Sequence, residues 1–192
     1  MASTLSRGGE RLLQAAEDLF YRQGIVATGV DTLVETAGVS KPTLYAQFGS
    51  KEALLAAALD HRRTRRLEGL ERHLARVAEP RARLLAVFDW LTAWHGDPAS
   101  RGCAFLNAAA ELPDPGHPAR QTVSRYKAQL RGRMSELAAE CGVSDPDDLA
   151  YELLLLIDGA SSRVLVDGDA DAYQRAAAAA ARLIDSRLET PA

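Results

Sequence analysis

The chain has 192 residues, of which 47% are hydrophobic and 26% charged, and its formal net charge is −3. This is the composition of a globular protein that builds its core without disulfide or metal staples, and it excludes a uniformly basic nucleic-acid binder. The start, "MASTLSRGGE", lacks a signal-peptide core, the longest strongly apolar run ("LLLLI", 153–157) is far too short for a membrane span, and Cys103 and Cys141 form neither a CxxC motif nor a zinc knuckle. A cytoplasmic protein with no membrane association is therefore expected.

Helical periodicity runs through the chain and no strand alternation persists. The first helix is expected over about residues 8–23, with Leu12, Leu13, Ala16, Leu19 and Phe20 on one face and Gly24 as its stop. Thr28 is the expected cap of a short second helix that turns Leu33, Val34 and Ala37 inward, and Gly38 and Val39 make a tight turn. Ser40 caps a third helix, "KPTLYAQF", in which Pro42 sits in the first turn, where a missing N–H costs little. Ser50 then caps a long helix reaching roughly residue 77. Pro80 opens "PRARLLAVFDWLTAW", a shorter helix covers "GCAFLNAAAEL", and further helices are read at about 118–141, 146–166 and 170–188.

The spacing from Val30 to Phe48 is that of a helix, a glycine turn and a second helix. On a wheel the second of these is anchored by Leu44 and Phe48, while Pro42, Thr43, Tyr45 and Ala46 point away and Gln47 lies on a flank. Charge leaves DNA binding open. Residues 1–66 hold nine Lys/Arg against seven Asp/Glu, and the remainder fourteen against nineteen. The "HRRTRR" cluster at 61–66 is read as a solvated helix face with acidic neighbours Glu68 and Glu71, in preference to a source of diffuse attraction to DNA.

Through "LLQAAEDLFYRQG" and "TGVDTLVETAGVSKPTLYAQFGSKEALL", in that order, the chain resembles the tetracycline-repressor (TetR) family of bacterial transcription regulators. The resemblance is specific over about residues 10–58; beyond them it rests on helical layout, with "GCAFLNAAAE" and "DGASSR" similar to segments of some members. It implies an all-α fold: a three-helix headpiece with a helix-turn-helix (1–50) on a larger helical domain that binds an effector and forms the dimer (51–192). The implied partners are double-stranded DNA, a small and largely apolar effector, and a second copy packed through the last two long helices. The implied activity is that of a repressor released from a palindromic operator, not of an enzyme.

By that resemblance Tyr45 and Lys51 contact the DNA backbone, and Lys41, Thr43 and Gln47 approach phosphates or bases. Thr28 is placed in the same DNA-facing set. Pro42 and Ala46 face the groove without hydrogen-bonding groups, where they can pack on thymine methyls. Residues 40–50 contain no Arg, so readout is expected to lean on apolar contact and DNA shape. For the effector, Phe88, Trp90, Trp94, Phe105 and Tyr126, with Asn107, Glu111 and His95 on the same helices, are candidates for an apolar pocket with a few polar groups, although any single aromatic is better read as plain core. Cys103 joins them, either as a sensing thiol or as a small buried hydrophobe. Asp158 is read as pairing with Arg163 or Ser162, lining the pocket, or facing solvent. His61, His73, His95 and His117 show no metal-ligand spacing, and no GxSxG or phosphate-cradling loop is present, so no metal, cofactor or catalytic residue is expected. Two other readings stay open: a DNA-binding regulator gated by a protein partner, and a helical-bundle enzyme that has kept a headpiece.

Overall fold

The computed structural model describes residues 5–96 and 99–188. Among them are nine α-helices and no strand: α1 (Arg7–Gln23), α2 (Val30–Ala37), α3 (Lys41–Phe48), α4 (Lys51–Leu74), α5 (Pro80–Trp94), α6 (Ala104–Glu111), α7 (Pro118–Glu140), α8 (Pro146–Asp167) and α9 (Ala172–Leu188). They group into two compact units, one made of residues 1–65 with 104–126, the other of 66–103 with 127–192. Helices α4 and α7 each contribute to both units, and α6 joins the N-terminal helices.

In the first unit α1 packs on α2 and α3. The Ser6 hydroxyl caps α1 by accepting from Gly9 N at 3.1 Å, and the buried stripe contains Leu12, Ala15, Ala16 and Phe20. Leu13 and Leu19, expected on that stripe, are only half-buried. The α2–α3 turn closes because Gly38 takes a left-handed conformation (φ 62°), which costs a residue without Cβ nothing. Gly38 N then donates to Glu35 O and Val39 N to Val34 O, both at 3.0 Å. One expectation fails here. The cap position of α2 is Gly29, with no side-chain cap. Thr28 is wholly buried, and its hydroxyl donates back to Gly24 O at 2.6 Å.

Helix α3 is held by few contacts. Leu44 is its only buried residue, and Phe48 is half-buried rather than fully inward. Losing such a buried Leu costs about 2–5 kcal/mol. Helix α4 starts as expected, with Ala53 N donating to Ser50 Oγ at 3.0 Å, and ends at Leu74 before a tight turn through Val77.

The second unit packs α9 against α5 and α8. Its core holds Leu84, Phe88, Leu91, Leu130, Met134, Leu153, Ile157 and Ile184. Ala176 and Ala180 of α9 are buried there; their small side chains let helices approach closely. Arg81 grips Asp185 through two bonds of 2.6 and 2.8 Å, fastening α5 to α9. Asp158 pairs with Lys127, not with Arg163 or Ser162; Arg163 pairs with Asp167 four residues on.

Candidate nucleic-acid interface and ligand cleft

Helix α3 is positioned by its ends. Ser40 accepts from Thr43 N at 3.4 Å, and the Ser40 and Thr43 hydroxyls lie 3.0 Å apart. Pro42 in the first turn removes one of the N–H groups that would otherwise lack a partner. With Leu44 fixed inward, Pro42, Tyr45 and Ala46 are exposed and Thr43 is half-exposed. Tyr45 keeps 50% of its surface open to solvent, an unusual place for a large aromatic side chain unless something covers it.

The polar residues assigned to DNA carry internal duties as well. Lys41 pairs with Asp31 at 2.6 Å, and the hydrogen bond to that carboxylate raises its pKa. Gln47 Oε1 accepts from Ser6 N at 3.0 Å, tying α3 to the head of α1. Lys51 donates from Nζ to Ile25 O at 2.8 Å and rests over the Phe20 ring. Thr28, fully buried, has no surface to offer a phosphate, so its expected place among the DNA-facing residues is not supported by its position.

The "HRRTRR" cluster is not a solvated face. Glu17 of α1 is almost wholly buried, and His61, Arg62 and Arg65 converge on its carboxylate at 2.9, 3.3 and 3.1 Å. Arg63 pairs with Asp60. Arg66, buried in the second unit, lies over the Trp90 and Trp94 rings, its guanidinium carbon 5.2 Å from each centroid. Glu68 and Glu71 instead meet Arg72 and Arg133.

A cleft enclosing about 360 Å³ of atom-free space, part of it open to solvent, lies within the first unit. Three helical stripes build it: Glu17, Phe20 and Tyr21 of α1; Leu55, Ala58, Leu59 and Arg62 of α4; Ala104, Asn107, Ala108 and Glu111 of α6. Each stripe follows the i, i+3, i+4 rule for one face of a helix. Ile25, in the α1–α2 turn, completes the wall. Helix α6 is rotated to this register by Phe105, which stacks on Tyr126 with centroids 3.9 Å apart. Its C-terminal end is held by Arg120, which donates to Ala109 O at 2.7 Å.

Of the residues expected at an effector, Asn107 and Glu111 line this cleft. Phe105 and Tyr126 are core of the first unit, and Phe88 and Trp90 are core of the second. Trp94 is half-buried against Arg66. His95 stacks on Tyr173, with centroids 5.0 Å apart. Cys103 is 4% exposed and outside the cleft lining. The physical reason is common to all of these aromatic side chains: helical spacing puts bulky groups into the core before it offers them to a ligand.

Sequence reading missed Glu17, Tyr21 and Arg62 as cleft residues. The available signal was a carboxylate set inside the buried stripe of α1, in a chain whose α4 carries a dense basic run.

The chain matches the family described as bacterial regulatory proteins, tetR family, over residues 12–58, and the tetracyclin repressor-like C-terminal domain over 80–180. The chain belongs to the TetR family of transcriptional regulators. The HTH-type transcriptional regulator YjdC of Escherichia coli K12 is 30% identical over 175 residues, 88% of this chain and 90% of its own. A TetR-family crystal structure from Streptomyces avermitilis is 36% identical, with a TM-score of 0.81 over 94% of this chain and 97% of that one. Another, from Streptomyces coelicolor, reaches a TM-score of 0.90 at 28% identity, over 95% and 97%.

These similarities make the protein a DNA-binding regulator and α2–α3 its helix-turn-helix. No helix among the described residues is long and apolar enough to cross a membrane, and none of their His, Cys, Asp and Glu side chains form a group of three or more set to hold a metal ion.

Proposed function

We propose that this TetR-family protein is a homodimeric repressor that grips a palindromic operator with α3 and releases it when a small effector binds. The outward face of α3 carries the reading. Pro42, Tyr45 and Ala46 are exposed on a helix that Leu44 anchors from the other side, as a recognition helix needs for the major groove. Tyr45 and Lys51 grip the backbone, Lys41 and Thr43 add contacts at the positive end of α3, and Pro42 and Ala46 pack against thymine methyls. Gln47 contributes mostly by holding α3 against α1, through the bond to Ser6 N.

The division proposed for the chain is functional: residues 1–50 read DNA and lend one wall, from α1, to the effector cleft, and 51–192 supply the rest of that cleft and dimerise. Dimerisation through α8 and α9 is supported by Tyr151, Leu155 and Val166, which leave at least half of their surface exposed on α8. A two-fold dimer sets two α3 helices against two half-sites of a palindrome.

Selection of bound sequences from a random DNA pool tests the reading. A palindromic site should be enriched, and Tyr45→Ala should weaken binding to it by about tenfold without changing thermal stability. Enrichment of no sequence would overturn the proposal. Repression, as opposed to activation, is read from a reporter under the selected site.

A further inference from the structure

We infer that the α1–α4–α6 cleft is a binding site for a small amphipathic amine, with Glu111 as the counter-ion. This deepens the effector reading proposed above and rests on it only for its regulatory consequence. The cleft walls are largely apolar: Phe20, Ile25, Leu55 and Leu59 are the bulkiest aliphatic and aromatic side chains without a polar atom, and three alanines fill between them. Its charged groups are Glu17, Arg62 and Glu111. Glu17 is already matched by three basic side chains, and Arg62 is spent on Glu17 and on the Tyr21 ring, 4.5 Å from its guanidinium carbon.

Glu111 differs. Its Oε2 accepts from Ile25 N at 2.7 Å and from Val26 N at 3.1 Å. Its Oε1 takes no hydrogen bond from any described residue, and the carboxylate forms no ion pair among them. Lys51, at the start of α4, is directed at the Ile25 carbonyl of the α1–α2 turn. A carboxylate that lines an apolar cleft, with one oxygen open and no counter-ion, selects a cation. The apolar walls then select a short hydrophobic body on that cation. An anionic ligand is disfavoured at the same position by like charge.

The site also bears on the headpiece. The carboxylate that would meet the ligand is the one that holds the α1–α2 turn, and Gly24 leaves just enough room for it: a Cβ there would lie 3.2 Å from both carboxylate oxygens. An ammonium on Oε1 draws charge away from the two backbone bonds on Oε2 and loosens the grip on the turn that leads into α2.

Calorimetry without DNA tests the site, so its failure is separate from any failure of DNA binding. Benzylamine, benzyl alcohol and phenylacetate are the probes. The amine is expected to bind about tenfold more tightly than the alcohol, with phenylacetate weakest. Glu111→Gln should level amine and alcohol, and Glu111→Asp should keep a reduced preference, which serves as the charged control if the Gln variant folds poorly. Equal affinity for amine and alcohol in the unaltered protein would overturn the inference, as would no binding of either or a preference that survives Glu111→Gln.

Discussion

Glu17 decides what the basic run of α4 does. Its side chain is 4% exposed and its carboxylate receives His61, Arg62 and Arg65, so the charges that could have supplied attraction to DNA instead join α1 to α4. Removing the Glu17 charge leaves Arg62, whose side chain is 11% exposed, without compensation, while His61 and Arg65 stay in contact with solvent. Glu17→Gln should therefore lower unfolding stability by about 3 kcal/mol, seen as a lower urea midpoint at unchanged slope. Asp31 acts at the same scale in the opposite sense. It pairs with Lys41 at 2.6 Å on the exposed edge of the headpiece, where it both neutralises a prospective phosphate contact and repels the backbone. Asp31→Asn should tighten operator binding about two- to fivefold, with the gain shrinking as salt is raised. Filter binding at two ionic strengths checks it; unchanged affinity would mean that Lys41 stays off the DNA.

Individual helices were set mainly by their ends. Ser6, Ser40, Ser50 and Glu79 each accept a backbone N–H at a helix start, and Gly24 and Gly38 close α1 and α2. What fastens one helix to another is less local. Arg81 of α5 holds Asp185 of α9, and its hydrogen bonds depress the Asp185 pKa. A carboxylate whose folded pKa lies below its unfolded value of about 3.9 stabilises the fold fully at neutral pH and loses that contribution as pH falls through the depressed value. Asp185→Asn should thus reduce stability at pH 7 and have a smaller effect at pH 3. Denaturant melts at both pH values measure it, and an equal loss at the two would show that the ion pair is not the cause.

At the scale of the whole molecule the open face of α8 matters most. Tyr151, Leu155 and Val166 are 51, 56 and 66% exposed, and their positions repeat at near-helical intervals along one side of the helix. Apolar surface of this kind marks an interface more often than a tolerated exposure. If α8 carries the proposed dimer seam, Leu155→Glu should yield a monomer in analytical ultracentrifugation and abolish binding to the selected site, while helicity by circular dichroism stays unchanged. A dimer that persists in this variant would place the interface elsewhere.

The sequence by itself determined the all-α class, helices that begin and end within a few residues of the structure, and the helix-turn-helix with Leu44 inward and Pro42, Tyr45 and Ala46 outward. These follow from caps, glycine turns and a 3.6-residue period, all of which act over four or five neighbours. Tertiary structure decided the partners. Glu111 meets Ile25 and Val26 across 86 and 85 residues, and Glu17 meets His61 and Arg62 across 44 and 45. No local pattern encodes such pairs, because which faces of two helices meet depends on how every side chain between them packs. The same cause moved Thr28 into the core and left the expected effector aromatics as packing, with Asn107 and Glu111 at the cleft.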